Sequence, residues 1–182
     1  DKIMRALSRR DVRGPSDQIK LLIDSYNDRR SGFEFAVNPD GVKRDYSMSN
    51  DGNEDESWNA IWESGATLTG NGYVLEFEIP YSSISFRHSE DAQQWNIQFL
   101  RIRPRENRFV YANSPDDPKQ ICDLCEQVKI KGFAHADPGR NILVNPTLTW
   151  NYIQERDAPD ADWGGDGNVV EFGMDLSWSP TP

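Results

Sequence analysis

The chain has 182 residues and carries 20 Lys and Arg against 30 Asp and Glu, so its formal net charge is −10. This acidic balance argues against a nucleic-acid-binding protein, because phosphate contacts need a basic surface. No run of about 18 apolar residues is present, which excludes a transmembrane helix. Aromatic residues make up 11% of the chain, more than is typical of disordered proteins.

Short β-strands separated by polar turns are predicted over the first 133 residues. Apolar side chains alternate at 18–24 and 32–38, and the polar turn 25–31 joins the two segments into a hairpin. Further strands are predicted at 42–49, 58–68, 73–79, 95–102 and 107–111. The only helical candidate is a short turn at 81–86. Many short strands with turn signals between them predict an all-β fold, an antiparallel β-sandwich.

Longer alternating segments follow a linker at 134–140. Residues 141–153 and 169–178 each place apolar side chains on one face, and the acidic loop 154–168 lies between them. Segments of about ten residues with one apolar face are typical of transmembrane β-barrel strands. An amphipathic hairpin in a soluble sheet has the same alternation, so the pattern alone leaves both interpretations open. A barrel would require further strands, because two strands cannot close one.

Several motifs in combination resemble a known family. They are Asp24-x-Tyr26-x-Asp28-Arg29-Arg30-x-Gly32, Asp51-Gly52-Asn53-Glu54-Asp55-x-Ser57-Trp58 and Pro138-Gly139-Arg140-Asn141. With them the chain resembles a family of bacterial outer-membrane proteins of unknown function. In that family an N-terminal domain similar to carbohydrate-binding module family 9 precedes a C-terminal β-barrel.

The resemblance implies a domain organisation and a location. Residues 1–133 would form the carbohydrate-binding-like sandwich without its N-terminal strands, and 141–182 the first hairpin of the barrel. The sandwich is then expected in the periplasm and the barrel in the outer membrane. The loop 154–168 is expected outside the cell, because the long loops of such barrels are extracellular.

Aromatic side chains are the candidates for binding a carbohydrate. Sugars present flat C–H faces on which aromatic rings stack. The candidate residues are Tyr46, Trp58, Trp62 and Tyr111, with Arg44 as a hydrogen-bond donor. The alternative is that these rings fill the core of the sandwich, as we expect for Trp95.

Two oxygen-rich segments are candidates for a calcium site. Asp51, Asn53 and Asp55 follow one another at every second position, and Asp24 and Asp28 lie in another polar turn. Calcium takes six to eight oxygen ligands, for which such spacing is suitable. The alternative is that these residues are solvated turn residues.

The only two cysteines, Cys122 and Cys125, form a C-x-x-C motif. A local disulfide or free thiols, a metal site and a redox pair all remain open, because spacing alone does not separate them. A zinc site would need two more ligands, and only His88 and His135 are available among histidines.

No motif marks a catalytic site. The sequence has no G-x-S-x-G, no H-E-x-x-H and no phosphate loop, and no pair of carboxylates stands out. We therefore predict non-catalytic glycan binding by the periplasmic sandwich of an outer-membrane protein. The alternatives are a secreted hydrolase acting on O-glycosyl bonds, and a structural plug or docking domain for the barrel.

Overall fold

The chain is all-β and divides into two compact units, Asp1–Gly139 and Arg140–Pro180. The structure, a computed structural model, describes residues 2–49, 53–105, 108–114, 122, 124–138, 142–156 and 158–178. Its antiparallel sheets confirm the prediction of an all-β antiparallel chain. Among the described residues, no helix has the length and apolar character needed to span a membrane.

The first unit is built around one large antiparallel sheet. In chain order its strands are β1 (Gln18–Asp24), β2 (Ser31–Val37), β3 (Lys43–Ser49), β4 (Asn53–Asp55), β5 (Glu63–Thr69), β6 (Gly72–Glu78), β7 (Gln93–Pro104), β8 (Arg108–Ala112) and β9 (Val128–Gly132). The large sheet has the order β4-β3-β2-β1-β7-β8, and β9 pairs with the other half of β7. Strands β5 and β6 form a separate hairpin.

The main hydrophobic core lies on one face of the large sheet. Alternation along β1 and β2 places Leu21, Ile23, Phe33 and Phe35 on this face. They pack with the inner face of the β5–β6 hairpin, including Phe77, and with loop residues from the segments before and after it. Burying each such side chain contributes about 1.5–3 kcal/mol, so this contact holds the two layers together.

The opposite face of the large sheet is also buried but contains charged residues. Leu22, Tyr46, Met48 and Leu124 form a smaller apolar cluster there. Glu34 of β2 shares this face, because it lies directly opposite Tyr46 in the ladder. The sheet therefore has one aromatic face and one mixed face with buried charge.

The segment 58–68 differs from the strand predicted for it, because β5 begins only at Glu63. Asp45 explains the difference, since its buried carboxylate accepts hydrogen bonds from the Ala60 amide (2.7 Å) and the Trp62 indole (3.1 Å). These bonds hold the segment before Glu63 against the sheet. The backbone of this segment therefore does not pair with a neighbouring strand. The predicted helical turn is also shorter, a 3-10 turn at Tyr81–Ser83.

The second unit is a long antiparallel hairpin of β10 (Ile142–Glu155) and β11 (Gly164–Trp178). Its ladder runs in register from the Ile142–Trp178 pair to the Ile153–Gly167 pair, and an irregularity precedes the Glu155–Gly164 pair. The connecting loop is therefore shorter than the predicted 154–168, because the glycine-rich start of β11 continues the pairing. One face of the hairpin is apolar and exposed, with Phe172 at 83% and Leu148 at 66%.

Candidate functional site

Two of the predicted sugar-stacking rings lie in the aromatic core. Trp62 is 2% exposed, and its ring stacks on Phe77 with 5.8 Å between centroids. Trp58 is half-buried and lies 5.0 Å from the ring of Phe33. Trp62 has no face open to a ligand in this conformation, and Trp58 is partly covered.

Tyr46 and Arg44 lie on the mixed face and contact the buried carboxylate of Glu34. The Arg44 guanidinium is 2.6 Å and the Lys20 ammonium 2.8 Å from Glu34 oxygens, and the Tyr46 hydroxyl also donates to Glu34. Burial, together with the Glu34 charge, raises the pKa of the Tyr46 hydroxyl above its ordinary range. Burial lowers the pKa of Lys20, and Glu34 opposes that shift. The Tyr46 hydroxyl and Nη2 of Arg44 are thus occupied inside the protein, while Nε of Arg44 is buried without a hydrogen-bond partner among the described residues.

Tyr111 belongs to an exposed surface on β7 and β8 that we call the aromatic–arginine strip. Its members are Phe99, Arg101, Arg103, Phe109, Tyr111 and Asn113. In the ladder Arg101 lies opposite Tyr111 and Arg103 opposite Phe109. Residues directly opposite in an antiparallel pair share a face, as do alternate residues along a strand, so the aromatic and arginine side chains leave the sheet on one side. Asn113 directly follows the last residue of β8.

The rings of the strip are open to solvent. Phe99 is 46% exposed, Phe109 44% and Tyr111 51%. The side-chain oxygen of Asn113 accepts a hydrogen bond of 2.9 Å from the Phe99 amide, which fixes that end of the strip. Rows on one face of a strand repeat every two residues, so the strip is about 13 Å long.

The guanidinium groups of the strip lie close to aromatic rings. Arg103 donates to the Tyr111 hydroxyl at 3.4 Å and lies 5.9 Å from the ring centroid of Phe109. Arg101 is exposed and lies 5.6 Å from the ring centroid of Tyr73, on the neighbouring hairpin. Burial raises the pKa of Tyr73, and the charge of Arg101 opposes that shift. The strip therefore combines stacking faces with hydrogen-bond donors.

Asp24 and Asp28, predicted as calcium ligands, both accept hydrogen bonds in the turn between β1 and β2. Buried Asp24 accepts from the Arg29 amide at 2.9 Å and from the Asn96 side chain at 2.8 Å. Asp28 accepts from the amides of Arg30 (2.8 Å) and Ser31 (3.0 Å). These bonds satisfy backbone donors of the turn, which is the role that the solvated-turn alternative assigns to such residues.

Asn53 and Asp55, the other predicted ligands, lie on β4, and Asp51 lies outside the described residues. Asp55 accepts from the Ser57 hydroxyl at 2.6 Å and the Ser57 amide at 2.9 Å, and these bonds lower its pKa. Three strand spacings separate β1 from β4, about 14 Å, so Asp24 and Asp55 do not form one ligand set. Within the described ranges, no three His, Cys, Asp or Glu side chains are placed to hold a metal ion. Calcium binding stays a prediction.

Cys122 and Cys125 are joined by a disulfide in the structure, with 5.3 Å between their Cα atoms. Leu124, between them, is 2% exposed and packs in the small apolar cluster of the mixed face. Of the alternatives that the sequence leaves open, the structure has the local disulfide. Cys122 and Leu124 both pack against the large sheet.

Comparisons with protein-family models, with curated proteins and with solved structures find no match for the chain. The resemblance to an outer-membrane family therefore stays a prediction. The candidate site rests on the geometry of the described residues.

Five members of the strip were not predicted from the sequence, and a signal for them exists. In 99–103 the aromatic and arginine residues occupy one parity, and Leu100 and Ile102 the other. Ile102 is 3% exposed and its parity lies on the mixed face, whereas Phe99 and Arg101 lie on the side of the main core, opposite Leu21 and Ile19 in the ladder. In such a strand, one parity has aliphatic side chains and the other has aromatic and arginine side chains. This pattern indicates that the two faces of the strand have different surroundings.

Proposed function

We propose that the Asp1–Gly139 unit is a non-catalytic carbohydrate-binding domain and that the aromatic–arginine strip is its binding surface. The observation that supports this most directly is the set of three rings, 44–51% exposed, on one side of β7 and β8. Such rings remove the C–H faces of a sugar from water. The amide of Asn113 and the guanidinium groups supply donors and an acceptor for hydroxyls.

The predicted binding residues have different roles in this domain. Tyr111 contacts the ligand, whereas Trp58, Trp62, Tyr46 and Arg44 belong to the scaffold that positions the sheet. Their burial or internal hydrogen bonds support this division. The scaffold is proposed to be a β-sandwich like that of carbohydrate-binding module family 9, with the large sheet and the β5–β6 hairpin as its layers.

Titration calorimetry of the 182-residue chain with neutral xylo-oligosaccharides and a wider glycan panel tests the binding surface. Tyr111→Ala and Phe109→Ala are each expected to weaken binding about 2- to 10-fold, the range for one aromatic contact. Val110→Ala is the matched control, because Val110 is 44% exposed on the other side of the same strand. No binding to any saccharide, or equal losses for Val110→Ala and Tyr111→Ala, would contradict the proposal.

We also propose that the Arg140–Pro180 unit is the first hairpin of an outer-membrane barrel, which places the first unit in the periplasm. Strands β10 and β11 have 14 and 15 residues. A tilted transmembrane strand needs about 9–11 residues, so both are long enough. The exposed apolar face supports the proposal further, because contiguous apolar surface marks a membrane or partner contact.

The topology of that hairpin is open to a labelling test. The loop between β10 and β11 is expected outside the cell, so an epitope tag at Asp160 should bind antibody on intact cells. Antibody binding that requires a permeabilised outer membrane would contradict this topology. A tag placed in the β5–β6 turn is the control, since that turn is expected in the periplasm.

A further inference from the structure

We propose that the saccharide bound by the strip is anionic and that Arg101 pairs with its carboxylate or sulfate group. This inference rests on the proposed function and names the class of ligand. Neutral hydrogen-bond donors would suffice for the hydroxyls of a neutral sugar, so the positive charge of the guanidinium at the centre of the strip indicates a negatively charged ligand.

Arg101 occupies the middle row of the strip. It lies opposite Tyr111, with Phe99 two residues before it and Arg103 two residues after it on the same face. A ligand that stacks on Tyr111 therefore passes beside the guanidinium of Arg101. Tyr73 borders it on the other side, with its ring centroid 5.6 Å away. Arginine suits this position, because its planar group contacts rings and binds planar carboxylates in two-point geometry.

Arg101 differs in its charged partners from four cations of the first unit that form ion pairs. Arg10 pairs with Asp45, Lys20 and Arg44 pair with Glu34, and Arg105 pairs with Asp17. Within the part of the chain that the structure describes, no carboxylate forms an ion pair with Arg101. Arg101 thus adds a positive charge to a surface with exposed rings.

Asp17 is an acidic group whose charge contributes to the raised pKa of Tyr73, and it is already bound. Its carboxylate is 3.1 Å from the Arg105 guanidinium and accepts a 2.8 Å hydrogen bond from the Met4 amide. Asp17 is 1% exposed, so it presents no negative charge to a ligand on the strip. In a chain with a net charge of −10, such a locally cationic surface favours anions over neutral sugars in that place.

The test compares oligosaccharides of matched length in calorimetry with the full chain: neutral xylo-oligosaccharides, oligogalacturonates and sulfated galactan oligosaccharides. We expect an anionic series to bind about tenfold more tightly than the neutral one at low salt, as for a charge-assisted hydrogen bond. The advantage should shrink as salt is added, because exposed charges are screened. The carboxylate and sulfate series show which anion the site prefers.

Arg101→Gln is expected to remove that tenfold advantage, and to weaken anionic binding more than neutral binding, which loses only a hydrogen-bond donor. Lys129→Gln is the matched control, because Lys129 is an exposed cation on β9, paired to the other half of β7. Equal affinities for neutral and anionic series, with Tyr111→Ala weakening both, would overturn this inference and leave the proposed function intact. Absence of binding in every series would overturn both.

Discussion

The rings around Trp62 and the rings around Tyr111 are similar in chemistry and opposite in environment. Trp62 is 2% exposed and Tyr111 51%. Trp62 packs between Phe35, with ring centroids 5.1 Å apart, and Phe77. Tyr111 lies opposite Arg101 on β8, the last strand of its sheet. The difference arises from what covers each strand and not from the type of residue.

The enclosed rings and the exposed rings contribute to different properties, the first to stability and the second to binding. A ring that is enclosed by its own chain contributes to folding, because its area is removed from water in the free protein. An exposed ring contributes when a ligand removes that area from water. Substitutions in the two groups should therefore affect different measurements.

Trp62→Ala is expected to have the largest effect on stability. Truncating a buried tryptophan costs about 3–5 kcal/mol of unfolding free energy, and here it also leaves the buried carboxylate of Asp45 without one donor. Tyr111→Ala is expected to change the same quantity by less than about 0.5 kcal/mol. Urea denaturation of both variants measures the contrast. Similar losses of stability would show that Tyr111 is also part of the core.

The strands themselves were accessible to prediction from local pattern. The alternation of Ile19, Leu21 and Ile23 predicted β1 with the bounds that the structure has, Gln18–Asp24. Alternation also predicted the two long segments of the second unit, with ends that differ by a few residues. Alternation is a property of neighbouring residues, so one sequence suffices to read it.

Alternation along one strand does not show whether an aromatic ring is buried or exposed. Trp62 is held by Asp45, 17 residues earlier, and Tyr46 by Glu34, 12 residues earlier. Periodicity assigns a side chain to a face, but it does not show which layer covers that face. For Trp58 and Trp62 it also predicted a strand that the contacts of Asp45 prevent. The parity of 99–103 marks the strip on β7, but placing Tyr111 beside Arg101 requires the pairing of β7 with β8.

Asp24→Ala is expected to have an intermediate effect on the free energy of unfolding. It is fully buried and accepts hydrogen bonds from its own turn, so Asp24→Ala should cost about 1–3 kcal/mol whether or not a metal binds. The calcium prediction adds that calcium raises Tm, that chelator lowers it, and that Asp24→Ala abolishes both shifts. Asp91→Asn, at an exposed turn, is the control. A Tm that neither calcium nor chelator moves would leave Asp24 as a turn acceptor only.

Glu54 is partly exposed and pairs with the exposed Arg13 side chain. Its substitution is expected to have the smallest effect on the free energy of unfolding. Burial raises the pKa of its carboxyl, but the hydrogen bond from Arg13 and the interaction with the Tyr46 hydroxyl outweigh this and hold the pKa below the ordinary 4.5. Because the folded pKa is the lower one, Glu54 stabilises the fold above the unfolded value, and this contribution disappears as pH falls through the folded value.

Urea denaturation of the wild type and of Glu54→Gln from about pH 6 to about pH 3 measures this contribution. The wild type should lose about 0.2–1 kcal/mol more than the variant, the range for a partly exposed ion pair. Glu56→Gln is a demanding control, because Glu56 contacts the same Arg13 guanidinium at 2.9 Å but does not reach Tyr46 by any hydrogen bond in the described chain. If Glu56→Gln flattens the pH profile as much as Glu54→Gln, the effect belongs to Arg13 alone. The interaction of Glu54 with the buried Tyr46 would then not contribute to stability.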